Sequence, residues 1–169
     1  MAKNIKIVIL ICSLLLTGYS LFGQKGNNQK IRISITQNIS PGPNPIFVYK
    51  ISHNKFAIER TKRIIWQTIK YTELTYSKKL NKPQKDSLAI VINSIDFSKL
   101  ENSYTSNMLD GIDWTFEIKT NDVEKTVSLW NYYLPDLGYI LDFINRQFPR
   151  ANKIISFDYL DIKNQTIKK

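Results

Sequence analysis

One cysteine, one histidine and six glycines are spread over 169 residues, and each shortage excludes a class of chemistry. Cys12 lies inside an apolar N-terminal run that reads as a leader, so the mature chain is expected to carry no thiol. Without one there is no disulfide, no thiolate nucleophile and no cysteine metal site. His53 sits in the polar run Ser52-His53-Asn54-Lys55, which reads as a turn with an exposed, idle imidazole. A Ser–His–Asp arrangement has no other imidazole to use, and the usual zinc ligand sets cannot be assembled. The glycines form neither G-x-x-x-x-G-K-[ST] nor G-x-G-x-x-G, so no loop is built to cradle a nucleotide phosphate. No metal site and no cofactor are expected.

Acidic residues are also scarce: 14 against 24 basic ones, a formal charge of +10. The leader spans residues 1–23. Lys3 and Lys6 form its positive start, Ile7 to Leu16 its apolar centre, and Thr17, Gly18, Ser20 and Gly23 its small residues. Cleavage is expected between Gly23 and Gln24, with Gly18-Tyr19-Ser20 as the alternative. Retention as an uncleaved anchor is the competing reading, because Ile5 to Phe22 is nearly long enough to span a bilayer. Cys12 is preceded by Ile11 and followed by Leu14, Leu15 and Leu16, so it is not placed for lipid attachment. The expected destination is the periplasm or the exterior of the cell. An excess of basic groups on the mature surface attracts polyanions such as anionic lipid, acidic glycan or an acidic protein.

The hydrophobic share of 43% and charged share of 22% are ordinary for a globular domain. Residues 24–30 read as a flexible lead-in, 31–150 as one domain, and 151–169 as a basic tail. Ile31, Ile33 and Ile35 alternate with polar residues, the period-2 mark of a half-buried strand. Pro41 to Pro45 is a loop. Ile46 to Ser52 and Phe56 to Arg60 flank a hairpin turn, and Ile64 to Trp66 and Tyr71 to Lys78 are further β-prone runs. Asn81, Pro83 and Gln84 spell a helix start with a capping box. Leu88, Val91, Ile92 and Ile95 carry that helix to about Ile95, and Glu101 to Asn107 reads as a polar connection. Ile112, Trp114, Phe116 and Ile118 form the clearest strand, followed by Glu124 to Trp130. A second helix opens at Pro135 and Asp136, with the stripe Leu137, Leu141, Ile144 and Phe148, until Pro149 stops it. Strands grouped ahead of each helix predict an α+β fold, an antiparallel sheet packed against two amphipathic helices.

This order, with Asp110-Gly111 before Trp114, then Trp130-Asn131, Pro135 and a closing helix at Phe148, resembles small exported bacterial proteins of unknown function. The same strands, helix, strands, helix plan is similar to that of the emfourin-type metallopeptidase inhibitors. That second resemblance implies an inhibitor-like role, but the family's inhibitory residues match no positions here. A Gln directly after the cut site also resembles leaders common in one group of Gram-negative bacteria.

Two clusters stand out as candidate sites. Trp130, Asn131, Tyr132 and Tyr133 gather at a strand-to-helix junction, and Trp and Tyr are the residues of binding hot spots. Asp110, Asp113 and Glu117 form an acidic alternative, in which Asp113 and Glu117 share one face of a strand and could seat an acid and a base. Against these stand ordinary corner packing for the aromatics and a solvated strand face for the acids. The basic runs Arg60-Thr61-Lys62-Arg63, Lys78-Lys79 and Lys168-Lys169 contain no nucleic-acid motif, and an anionic envelope surface is the better partner for them. The reading favoured is an exported, non-enzymatic domain that binds another protein. A carboxylate-dependent hydrolase acting on a glycan and a structural envelope protein held by charge are the alternatives.

Overall fold

The computed structural model describes residues 30–40, 45–52, 54–63, 70–107 and 111–149. The expected leader, most of the lead-in, residues 41–44 of the Pro-rich loop, His53, the run 64–69, Asp110 and the tail 151–169 lie outside the described residues.

Four strands open the domain as an antiparallel meander: β1 (Arg32–Ser40), β2 (Ile46–Ser52), β3 (Lys55–Arg63) and β4 (Lys70–Lys79). Alternation decides which side faces inward. Ile33 and Ile35 of β1 lie opposite Ile51 and Tyr49 of β2, which lie opposite Phe56 and Ile58 of β3. All six are buried. The register between β3 and β4 slips at Ile58/Glu59. There the Thr75 hydroxyl donates to the Ile58 carbonyl at 3.0 Å, so the irregular pairing leaves that acceptor satisfied.

Helix α1 (Lys82–Asn93) starts where the capping chemistry predicts. Asn81 Oδ1 accepts from the Gln84 amide at 2.9 Å, and Gln84 Oε1 accepts from the Asn81 amide at 3.0 Å. The helix closes at Asn93, and a short 3₁₀ turn (Phe97–Lys99) follows, with Asp96 accepting from the Ser98 amide. Ile95, Phe97 and Leu100 are buried beyond the helix end. Strands β5 (Ser103–Thr105), β6 (Gly111–Lys119) and β7 (Glu124–Trp130) and helix α2 (Pro135–Gln147) complete the described chain.

The strands form one seven-stranded sheet in the order β4-β3-β2-β1-β6-β7-β5. Two expectations are corrected here. The segment 101–107 is not only a connection, because Ser103–Thr105 forms the edge strand β5. The sheet is also mixed rather than purely antiparallel, since β5 pairs parallel to β7. The reason is one of parity. The chain reverses into β6 and again into β7, so β7 regains the direction of β5, and the two are parallel once β7 lies between β5 and β6. Crossing from the β4 edge to the β5 edge means travelling about 29 Å, six strand spacings of about 4.8 Å. Helix α1 and the 3₁₀ turn carry the chain over that distance on one face.

That face holds the core. Leu137, Ile140, Leu141, Phe143, Ile144 and Phe148 are all buried, and Phe148 stacks on Phe56 with ring centroids 4.3 Å apart. A fully buried ring of this kind contributes roughly 1.5–3 kcal/mol. The result is a single small α+β fold, with both described helices on the same side of the sheet.

Candidate functional site

Strand phase divides the junction residues between the two faces. Trp130 lies opposite Asp113 of β6 and opposite Thr105 of β5, on the face away from the helices, and is half-buried. Asn131 is buried and takes a positive φ of 47°, a conformation that Asn tolerates better than most residues. Its Oδ1 accepts from the Ile112 amide at 2.8 Å, and its own amide donates to the Ile112 carbonyl at 3.0 Å. Gly111 makes room for this: a Cβ there would lie 1.6 Å from Asn131 Oδ1. Tyr132 stacks on Tyr104 at 5.4 Å on the helix side. Tyr133 lies over Gly138 of α2, where a Cβ would come within 2.4 Å of its hydroxyl. Asn131, Tyr132 and Tyr133 therefore join β7 to α2, while Trp130 faces the open side.

Of the acidic candidates, Asp113 and Glu117 fall on the open face. Asp113 is half-buried beside Trp130, and loss of water raises its carboxyl above the ordinary value of 3.8. Glu117 is exposed and lies opposite Ser34 of β1 and Thr126 of β7. Asp113 and Glu117 are four residue steps apart along β6, a Cα distance of about 13 Å. Paired glycosidase carboxyl groups sit roughly 5–9.5 Å apart, so this spacing offers poor geometry for shared acid–base work. Among the described residues, no three His, Cys, Asp or Glu side chains come together as a metal site. No described helix is long and apolar enough to cross a membrane.

A concavity of about 450 Å³ lies on the sheet where β1, β2, β6 and β7 meet. The open-face phase gives it Arg32, Ser34, Lys50, Glu117, Lys119 and Thr126, with Ser52 and Glu124 at its margin. Arg32 and Lys119 lie directly opposite each other, a like-charge pairing that is unfavourable without an anion between them. Lys119 is held by Glu124 at 2.6 Å and Lys50 by Glu59 at 2.8 Å. Neither Arg32 nor Glu117 has an ion-pair partner among the described residues. The polar phase of β6 marks Glu117 in the sequence, but nothing local shows that β1 lies beside it and supplies Arg32 and Ser34.

The basic run on β3 divides as well. Arg60 lies over the Phe47 ring at 5.8 Å and 3.9 Å from Glu73. Lys62 and Arg63 pair in register with Tyr71 and Lys70 near the end of the β3–β4 ribbon. Lys78 and Lys79 are exposed at the end of β4, an edge strand of the kind that lysines keep from pairing with other chains. Compared with known protein families the chain matches none, and no curated protein matches it.

Proposed function

We propose that this chain is a non-enzymatic binding domain that engages another protein through the open face of its sheet, at the end marked by Trp130. An inhibitor-like role is one form of that activity. The observation behind the reading is the one-sided architecture: both described helices cover one face, while Trp130 and the 57% exposed Leu74 belong to the other. A half-buried Trp with the polar Asp113 and Thr105 opposite it suits the anchor of an interface. Without residues 1–23 the chain keeps 22 basic and 14 acidic residues, a formal charge of +8, which favours an acidic partner and a fast, salt-sensitive encounter. Export to the periplasm or beyond is part of the same proposal.

The test is affinity capture from envelope fractions, comparing the unaltered chain with Trp130→Ala. A stoichiometric partner that is lost with Trp130→Ala supports the reading. Tyr133→Ala serves as the stability control, because that ring packs on Gly138. Equal recovery with and without Trp130, or recovery of nothing under several growth conditions, counts against it.

A further inference from the structure

The concavity at the opposite end of the open face has chemistry of its own. It is about 13 Å along β6 from the Trp130 end. Its volume of about 450 Å³ falls within the roughly 300–1,000 Å³ of small-molecule sites. Small side chains, Ser34 and Thr126, form part of its floor, and longer charged ones rise around them.

We propose that this concavity binds a saccharide carrying a carboxylate, of the uronic-acid type. Three cations of the open-face phase line it, Arg32, Lys50 and Lys119, while Lys125 lies opposite Ile118 in the phase of the other face. Glu59 balances Lys50 and Glu124 balances Lys119, which leaves Arg32 and Glu117 as the charges without a local partner among the described residues. Local pairing consumes Lys50 and Lys119, and Lys125 donates to Asn102 at 2.9 Å. Arg32 remains as the cation without an acidic partner among the described residues, and its planar fork matches a carboxylate. A bare anion explains only that half of the site. Glu117 is an acceptor without an ion-pair partner, diagonal to Arg32 across the β1–β6 pair, at about 7–8 Å. Such a carboxylate repels a simple anion and accepts hydrogen bonds from hydroxyls. A ligand with one carboxylate and several hydroxyls satisfies both groups, and Ser34 and Thr126 add donors and acceptors between them.

This inference goes beyond the protein-binding reading and uses different residues. Titrating the full chain with digalacturonate, and following amide resonances of β1, β6 and β7, tests it. The expected result is saturable shifts centred on Ser34, Glu117 and Thr126. Arg32→Ala should weaken binding about tenfold, and Glu117→Gln should weaken it by less. Both side chains are exposed, so the variants are expected to fold. Neutral cellobiose should give no shifts. If acetate at equal carboxylate concentration produces the same shifts with the same affinity, the site reads charge alone and the saccharide assignment fails. No saturable shift with digalacturonate, or one that Arg32→Ala leaves unchanged, overturns the proposal. Partner capture that depends on Trp130 stands or falls separately.

Discussion

The two faces of the sheet are made from the same strands, yet they answer to different constraints. On the helix side, Phe116 and Ile118 of β6 are 0% and 1% exposed, within a continuous apolar core. On the other side the same strand shows Asp113, Thr115, Glu117 and Lys119, half-buried or exposed. A shift of one residue in register would exchange the two sets. The inner face is constrained by volume, because a close-packed core registers each methylene gained or lost. The outer face is constrained by charge and hydrogen bonding, so it can vary without unfolding the domain. Stability therefore resides on one side, and the freedom to vary on the other.

The strongest way to test this contrast is Phe116→Ala, expected to cost about 3–5 kcal/mol in chemical denaturation through lost burial and a cavity. A loss under about 1 kcal/mol would mean the inner face is far more loosely packed than described. Next comes Gly111→Ala, where a Cβ 1.6 Å from Asn131 Oδ1 must displace the amide that caps Ile112. Overpacking and a lost buried hydrogen bond together are expected to cost about 2–4 kcal/mol. Asn81→Ala removes one half of the capping box and should lower stability by about 1 kcal/mol.

Asp113→Asn separates the faces by pH instead. Burial raises the folded carboxyl above 3.8, so the native state binds this proton more tightly than the unfolded chain does. The charged form therefore opposes folding at neutral pH, and that penalty fades as pH falls through the folded value. Asp113→Asn is expected to be more stable than the unaltered chain at neutral pH, with the difference gone below pH 3.8. Asp96 behaves in the opposite way. Hydrogen bonds from Ser98 and Lys99 hold its carboxyl at about 2, so its contribution is present above 3.8 and lost as pH falls towards 2. The smallest effect belongs to Thr115→Ala on the open face, expected within about 0.5 kcal/mol of zero. A large loss there would show that the outer face is also structural.

Much of the local architecture is legible in the residues themselves. Ile112 to Ile118 alternates strictly because β6 is buried on one side only, and Asn81, Pro83 and Gln84 announce a helix start that the structure builds with both reciprocal bonds. Strand β5 was not legible. Three residues with one inward side chain, Tyr104, leave no period to detect, and pairing with β7 is what makes Ser103–Thr105 a strand. The junction at Trp130 to Tyr133 stands out by its aromatics, but only the register separates Trp130 from the three residues beside it. The concavity was legible only in part: Glu117 belongs to a visible polar phase, whereas Arg32 is distant in sequence.

Composition and periodicity alone determined the shortage of thiol and imidazole, the positive charge, and which side of each long strand and helix turns inward. These follow from side-chain chemistry and from the 2.0 and 3.6 repeats of the backbone. Tertiary structure decided that β1 lies between β2 and β6, that β5 runs parallel to β7, and that Arg32 faces the same hollow as Glu117. Strand order depends on which non-local pairings bury the most apolar surface together, and no local stretch of chain encodes that sum.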